Sequence, residues 1–323
     1  MFKTELTEKL GIQYPIVQAG MGGVAMADLV AAVSNAGGLG IIGAAMLTPA
    51  TLREEVRKVK DLTDKPFGVD LLLAQGWPGQ EEMIQVMIEE GVPVFASGLG
   101  NPAPYAEAMH RAGMTVMAVV GTVRHARRVV EGGTDIVIAQ GTEGGGHTGR
   151  IATMALVPQV VDAVAPTPVV AAGGIADGRG LVAALALGAC GIWVGTRFVA
   201  TREAFGHDNY KRKIVEATEE STVVTRAFTG KNCRVVKNCY AEQWEDRQGE
   251  IKPFPFQMMV DSGKMEAAIA HGDTEAGIMP AGQISGAIRE VKPAADVVRE
   301  IMEEAEDVLA RLAAKHLEPQ ATG

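Results

Sequence analysis

Hydrophobic and polar positions along the chain follow two alternating periods. Short apolar runs such as "YPIVQAGM" at 14–21 are typical of buried strands. In the next stretch, "MADLVAAVSNAGG", the positions 26, 29, 30 and 33 are apolar, which is the spacing of one helix face, and the two glycines end it as a C-cap would. After the second run, "LGIIGAA" at 39–45, Thr48 and Pro49 supply an N-cap and a first-turn proline. The pattern therefore predicts a repeated strand–helix unit.

The repeated unit accounts for the first two thirds of the chain. Strands are predicted at 14–21, 39–45, 66–73, 92–100, 115–121, 135–141, 168–174 and 191–198. Apolar strands that alternate with helices indicate a parallel sheet covered on both faces. Eight such units in about 200 residues fit a closed (β/α)8 TIM barrel of the α/β class. An open, doubly wound sheet is the alternative, but "QAGMGGVA" after the first strand does not keep the glycine spacing of a dinucleotide-binding turn.

The strand–helix rhythm stops after residue 204. Residues 205–291 are more polar and hold Pro253 and Pro255, so we expect a smaller subdomain inserted after the eighth strand and covering the active site. The segment 292–317 has apolar residues at 297, 298, 301, 302, 305, 308, 309 and 312, which predicts one long helix. We therefore expect residues 1–204 and this C-terminal helix to form the barrel.

Composition and charge narrow the class of partner. The formal net charge is −9 and no cluster of basic residues occurs, which argues against nucleic acid or an acidic membrane surface as a partner. No apolar run reaches the length of a membrane span, and the N-terminal stretch lacks the apolar core of a signal peptide. The three cysteines show neither a C-x-x-C nor a zinc spacing, so we expect no metal site. We expect a cytoplasmic enzyme with a small-molecule substrate; the sequence leaves a homodimer open.

Glycines at the ends of the last two predicted barrel strands indicate a phosphate site. The seventh strand ends in "AAGGIADGRG", where Gly173 and Gly174 leave backbone N–H groups uncovered before Asp177 caps a helix. The eighth ends in "VGTRF", where Gly195 and Thr196 offer the same. Tight turns alone would also explain glycines here, but two such segments at adjacent strand ends favour phosphate, because this is where the fold usually holds it.

Other strand ends favour a planar ring beside that phosphate. Gly20, Met21 and Gly22 follow the first strand and form a bare backbone surface suited to a flat ring. Asp70 and Gln140 are polar residues at the ends of apolar runs. Each could contact the ring, or could be polar only because strand ends commonly are. Flavin mononucleotide (FMN) would use all of these groups together.

The segment "QGTEGGGHTG" at 140–149 holds the candidate catalytic residue. His147 follows a glycine run that includes Gly145 and Gly146, which let a bulky ring approach the backbone. On the loop after the sixth strand it would lie above that ring and could take or give a proton at neutral pH. Glu143 could orient the imidazole or be merely solvated.

The motifs resemble, in order and across nearly the whole chain, the FMN-dependent barrel superfamily of nitronate monooxygenases, which includes flavin enoyl-acyl-carrier-protein reductases. The resemblance rests on "QAGMGGVA", "AGGLGIIG", "DKPFGVD", "QGTEGGGHTG", "AAGGIADGRG", "VGTRF" and "GDTEAGIMPAGQISG". It implies an FMN phosphate at Gly173, Gly174, Gly195 and Thr196, a ring near Gly20, Met21, Gly22 and Gln140, and His147 as catalytic acid or base. The superfamily often has Asn where this chain has Asp70, and a carboxylate at the pyrimidine edge of a flavin would hinder reduction unless it is protonated or turned away.

The resemblance leaves several activities open. "TRAFTGKNCRVVKN" and "QWEDRQGEIKPFP" favour nitronate monooxygenase chemistry, in which His147 takes the α-proton of a nitroalkane, or meets a nitronate, and O2 reoxidises FMN. "GLGNP" and "HDNYKRKI" favour the alternative, a flavin enoyl-ACP or enoyl-CoA reductase that uses NADH or NADPH; an NADH:quinone reductase is a related alternative. A flavin-free phosphate-sugar isomerase or lyase is a third, unrelated class on the same barrel.

Overall fold

All eight predicted barrel strands are present and parallel. The structure is a computed structural model that describes residues 3–73, 79–260 and 263–316. The barrel strands are β1 Ile16–Gln18, β2 Gly40–Gly43, β3 Phe67–Leu72, β4 Val94–Leu99, β5 Thr115–Val120, β6 Ile136–Gln140, β8 Val169–Ala172 and β9 Gly191–Val194. A second sheet of three antiparallel strands contains β7 Gly146–His147, β10 Thr222–Thr225 and β11 Cys233–Val236. The seventh and eighth predicted strands are therefore β8 and β9.

Helices connect the barrel strands and cover their outer face. They are α1 Glu5–Leu10, α2 Ala27–Asn35, α3 Pro49–Leu62, α4 Gln80–Glu89, α5 Ala103–Arg111, α6 Val123–Glu131, α7 Thr153–Val164, α8 Gly178–Ala186 and α9 Thr196–Val199. Those that follow are α10 Asp208–Glu216, α11 Cys239–Gln243, α12 Gln257–Val260, α13 Lys264–Ile269 and α14 Ala294–His316. Short 3-10 turns occupy Ala44–Met46, Gln248–Glu250 and Gln283–Ala287. Thr48 caps α3 with Pro49 in its first turn, as predicted.

The strands close into the predicted (β/α)8 barrel. Neighbouring strands follow the order β1-β9-β8-β6-β5-β4-β3-β2, and a parallel bridge between Val17 and Leu39 joins the two ends. The buried side chain of Gln18 strengthens this junction, because its Nε2 donates to the Ile41 carbonyl and its Oε1 accepts from the Ile41 N–H, both at 3.2 Å. A fully buried amide needs such partners, so Gln18 is a structural residue that the sequence pattern did not reveal.

Alternate residues along each strand belong to different parts of the core. Ile136 and Ile138 pack with residues of other barrel strands inside the barrel, whereas Val137 and Ala139 pack in the cluster that includes the helices. This is the two-residue period of a strand buried on both faces. It explains why these strands are continuous apolar runs in the sequence.

The segment after β9 packs against the barrel and shares its core. Tyr210, Ile214 and Met279 belong to the same hydrophobic cluster as Phe198 of α9. The long helix α14 packs on α8 and α2, and Glu304 accepts a hydrogen bond from the Gly178 N–H at 2.8 Å. The division into a barrel, 1–204 with 292–317, and a covering subdomain, 205–291, stays a prediction. Within the described ranges, no helix is long and apolar enough to cross a membrane.

Candidate active site

The predicted site residues lie together at the carboxyl ends of the barrel strands. They line one cavity with a volume of about 220 Å³. The residues concerned are Gly20, Met21, Gly22, Asp70, Gln140, Gly145, Gly146, His147, Gly173, Gly174, Gly195 and Thr196. A parallel barrel brings the ends of all its strands to one face, which is why residues so far apart in sequence converge. Their individual roles in FMN binding and catalysis stay predictions.

The cavity end formed by β8 and β9 fits a phosphate group. Gly173 and Gly174 have φ values of 95° and 71°, which is the left-handed region that favours glycine. Among the described residues, the N–H groups of these two glycines have no hydrogen-bond acceptor, so both remain available to an anion. Thr196 lines the same end, and its Oγ1 accepts from the Gly282 N–H at 2.9 Å. Backbone N–H groups that no carboxylate or carbonyl already occupies can donate hydrogen bonds to the oxygens of a phosphate ester.

Arg197, in α9, faces away from this end of the cavity. Its side chain is buried, and Nη2 donates to the carbonyls of Ala200 and Glu290 at 2.9 and 3.0 Å. It therefore joins α9 to the segment before α14 and contributes no charge to the predicted phosphate site.

Asp70 lies at the end of β3 in a space that two glycines leave open. The Gly98 N–H donates to Asp70 Oδ1 at 2.6 Å, and a Cβ atom at Gly20 would collide with the Asp70 side chain. Burial raises the pKa of Asp70 to about 7, although the hydrogen bond from Gly98 acts in the opposite direction. Below neutral pH the group is thus mainly uncharged, which meets the condition that a carboxyl beside a flavin be protonated.

Gln140 contacts the backbone of the candidate catalytic residue. Its Nε2 donates to the His147 carbonyl at 2.6 Å, while the side chain still lines the cavity. The sequence motifs predicted Gln140 only as a contact of the flavin ring. The structure adds a positioning contact, which follows from the turn that brings residue 147 back over the end of β6.

His147 is held in the second sheet. It forms β7 with Gly146 and pairs with Cys233 of β11, while Gly146 pairs with Arg234. The Thr148 N–H also donates to the Asn232 carbonyl at 3.1 Å. The glycine-rich segment is therefore fixed at its His147 end by antiparallel pairing with residues from the segment after the barrel.

The nearest neighbours of the His147 imidazole are a hydroxyl and two aromatic rings. Its Nε2 is 2.8 Å from the Thr229 hydroxyl, and the rings of Phe228 and Phe254 lie with their centroids 6.4 Å away, the first stacked and the second edge-on. Burial and, to a smaller extent, the nearby positive charge of Lys231 together lower the pKa of His147 to about 4. The imidazole is consequently neutral at neutral pH and can accept a proton.

Glu143 neither binds the imidazole nor is merely solvated. Its carboxylate accepts hydrogen bonds from the backbone N–H and the hydroxyl of Thr153, at 3.0 and 2.9 Å, at the first turn of α7. A carboxylate is favourable at a helix N-terminus, and α7 has no side-chain cap of its own. Arg234 holds the same loop, because its Nε donates to the Thr142 carbonyl at 3.0 Å.

Sequence reasoning missed the side chains that surround His147. Thr229 is 82 residues from His147, and no spacing rule connects them. The apolar side chains Met258, Met265 and Ile284 also line the cavity, and all three come from the segment after the barrel. The polar, irregular character of 205–291 indicated a covering segment but not which of its residues reach the cavity.

The chain is similar to flavin oxidoreductases over almost its entire length. The model of the family described as nitronate monooxygenase matches residues 3–304. The (3aS,4S,5R,7aS)-5-hydroxy-7a-methyl-1-oxo-octahydro-1H-indene-4-carboxyl-CoA dehydrogenase of Mycobacterium tuberculosis is 37% identical, and the match covers 93% of this chain and 95% of the relative.

Solved structures with similar folds agree with this family. FabK from Thermotoga maritima is 41% identical with a TM-score of 0.92, covering 97% of this chain and 99% of that one. Nitroalkane oxidase from Streptomyces ansochromogenes is 32% identical with a TM-score of 0.87, covering 95% and 99%.

Proposed function

Because this chain belongs to the nitronate monooxygenase family, we propose that it oxidises nitronates, and nitroalkanes after loss of their α-proton, with FMN and O2. It is a flavin-dependent oxidoreductase, as its relatives are. The choice of substrate, the identity of the flavin as FMN and the role of His147 are the parts that we propose.

The observation that carries the proposal is the position of His147, whose side chain lines the cavity with its Nε2 atom 2.8 Å from the Thr229 hydroxyl. Removing the α-proton of a nitroalkane requires a base, and His147, with its pKa lowered to about 4, is in its basic form at neutral pH. The Thr229 hydroxyl at 2.8 Å restricts the orientation of the ring, and the rings of Phe228 and Phe254 lie beside it. An enzyme that uses His147 as its acid would need the protonated form, which this environment disfavours.

The other predicted residues would hold the cofactor. Gly173, Gly174, Gly195 and Thr196 would bind the FMN phosphate, and Gly20, Met21, Gly22, Asp70 and Gln140 would contact the ring. Gly145 and Gly146 would let the ring and the substrate approach His147. When bound, FMN supplies the two-electron oxidation and the reactivity with O2 that the chain itself lacks. Apolar residues such as Met258 and Met265 would contact the alkyl part of the substrate.

A second candidate is NADH- or NADPH-dependent reduction of an enoyl thioester. It is favoured by the relative that is 37% identical over 93% of this chain and is named a carboxyl-CoA dehydrogenase. In this case the neutral state of His147 argues for another proton donor.

Anaerobic reduction of the purified, flavin-loaded protein distinguishes the two candidates. We expect the flavin absorbance near 450 nm to bleach rapidly with a nitronate and slowly with NADH or NADPH. Rapid bleaching by a nicotinamide and none by a nitronate would overturn the proposal in favour of the second candidate. Mass spectrometry of the released flavin tests whether it is FMN.

A further inference from the structure

The peptide group between Gly173 and Gly174 lies at the end of the cavity that is predicted to bind phosphate. Its carbonyl oxygen belongs to Gly173 and its N–H to Gly174, and both residues line the cavity. Neither residue has a Cβ atom, so this peptide plane can rotate with less steric resistance than a plane between two larger residues. The direction of the N–H therefore depends on what holds the plane.

The hydroxyl of Thr153 holds the carbonyl side of this plane. Thr153 Oγ1 donates to the Gly173 carbonyl oxygen at 2.9 Å, although the two residues are 20 positions apart in the chain. Among the residues that the structure describes, no backbone N–H donates to that oxygen. The orientation of the carbonyl thus depends on this threonine side chain.

The trans geometry of the peptide then determines the direction of the N–H. In a trans peptide the C=O and N–H bonds point in opposite directions, and the bond between Gly173 and Gly174 is trans. With its carbonyl turned towards Thr153, the plane directs the Gly174 N–H away from that residue. Gly174 lines the cavity, whereas Thr153 does not. A plane turned the other way would exchange this donor for a carbonyl oxygen, whose partial negative charge repels a phosphate.

Thr153 is itself anchored by Glu143. The Thr153 N–H donates to both carboxylate oxygens at 3.0 Å, and Oγ1 lies 2.9 Å from Glu143 Oε2. A hydroxyl carries one hydrogen, so Thr153 shares it between the carboxylate and the Gly173 carbonyl. These contacts lie at the first residue of α7 and keep the hydroxyl beside the glycine pair.

We propose that Thr153 is a positioning residue of the phosphate site, and that its hydroxyl orients the Gly173–Gly174 peptide so that the Gly174 N–H is available to the FMN phosphate. This inference rests on the proposed use of FMN. Thr153 does not line the cavity, so it acts through the peptide and not by contact with the cofactor. Loss of the hydroxyl should therefore weaken binding of the phosphate and leave binding of the flavin ring unchanged.

Titration of the flavin-free protein with FMN and with riboflavin, followed by flavin fluorescence, tests the proposal. Riboflavin has the same ring system and lacks the phosphate, so the ratio of the two dissociation constants reports on the phosphate site. Thr153→Val replaces the hydroxyl with a methyl group and should weaken FMN binding by about five- to tenfold, the scale of one hydrogen bond, with riboflavin binding unchanged. Thr153→Ser keeps the hydroxyl and should restore the preference for FMN. Thr153→Ala, which suits a helix better, should show the same loss and replaces the valine variant if that variant does not fold.

Thr148→Val is the matched control. Thr148 Oγ1 also donates to a glycine carbonyl, that of Gly141, at 3.1 Å. That peptide plane is held from its other side as well, because the Thr142 N–H donates to the Ile151 carbonyl at 2.8 Å. Removal of the Thr148 hydroxyl should therefore leave the preference for FMN over riboflavin as it is in the wild type.

Two results would show that Thr153 has no specific role in the phosphate site. One is an equal loss of FMN and riboflavin affinity in Thr153→Val, and the other is an equal loss of FMN preference in Thr148→Val. A wild-type protein that binds both flavins with the same affinity would overturn the phosphate site together with this proposal. No nitronate takes part in the titration, so failure of the proposed oxidation is distinguishable from failure of this inference.

Discussion

The two ends of the cavity differ in the kind of group that forms them: backbone groups at one end and side chains at the other. At the β8–β9 end, the backbone of consecutive residues supplies the predicted binding groups, chiefly the uncovered N–H groups of Gly173 and Gly174. At the other end, the environment of His147 is made by side chains of Thr229, Phe228 and Phe254, which follow much later in the chain. A site made of backbone groups can be specified by a short stretch of sequence. A site made of side chains from distant segments forms only when those segments pack together.

Asp70 and His147, two of the ionisable residues that line the cavity, have pKa values shifted in opposite directions. Burial disfavours the charged form of each, so it raises the pKa of Asp70 to about 7 and lowers the pKa of His147 to about 4. Between about pH 4 and pH 7, Asp70 therefore keeps its proton and His147 is free to accept one. Burial thus favours an uncharged carboxyl at Asp70, near the predicted ring, and an unprotonated imidazole at His147, near the predicted substrate.

The largest effect is expected at the side-chain end of the cavity. His147→Ala should keep its flavin, because the residues predicted to hold the cofactor are on other strands, while turnover of a neutral nitroalkane should fall by roughly 10²–10⁴-fold. With a pre-formed nitronate, much of the rate should return, since the proton is already absent. Steady-state oxygen consumption on both forms measures this. Equal losses on the two forms would show that His147 acts by positioning the substrate and not as a base.

The second prediction concerns Asp70 and the stability of the flavin-free protein. The folded protein keeps a proton on Asp70 up to about pH 7, whereas the unfolded chain releases it near pH 3.8. The stability due to this proton is complete below the unfolded pKa of 3.8 and is lost as the pH rises towards 7. Asp70→Asn removes the titration and should gain stability over the same range, by at most about 4 kcal/mol.

Urea unfolding of the wild type and Asp70→Asn at pH 5 and pH 8 checks this sign. The advantage of the variant should be greater at pH 8. A difference in unfolding free energy that does not change with pH would mean that Asp70 is ionised in the fold.

The backbone end can be tested by adding charge without changing shape. Gly174→Asp should lower FMN affinity by a further factor on the order of 10² relative to Gly174→Asn, because a carboxylate about 5 Å from a phosphate repels it. Both variants share the strain of a side chain at φ 71°, so the comparison isolates the charge. Fluorescence titration of the flavin-free proteins measures it. Equal affinities would place the phosphate elsewhere.

The smallest effect is expected at a residue that acts through His147. Thr229→Val removes the hydroxyl 2.8 Å from Nε2 with little change in volume and should reduce nitroalkane turnover by about tenfold. Thr229→Ser keeps the hydroxyl and should restore most of the rate. Because the hydroxyl orients the base, the pH dependence of kcat/KM should also change in the valine variant alone. If the valine and serine variants lose activity equally, Thr229 only packs in the fold.

The sequence alone was enough to predict the barrel and the strand-end residues that line its cavity. The strand runs are apolar because both faces of a parallel sheet are buried, so the apolar pattern by itself locates all eight strands. The glycines at 173 and 174 are adjacent in sequence, and their local conformation creates the predicted phosphate site whatever surrounds it. The parallel barrel then brings the other strand ends, including Asp70 and Gln140, to the same cavity.

Only the tertiary structure showed how His147 is held and what its environment does to it. The pairing of β7 with β11 joins residues 147 and 233, and neither segment carries a periodic signal for this contact. The low pKa of His147 results from burial by side chains of a polar, irregular segment whose path the sequence did not reveal. Local motifs determine backbone conformation, but burial and charge at a side chain depend on everything that packs around it, and that is decided only when the whole chain folds.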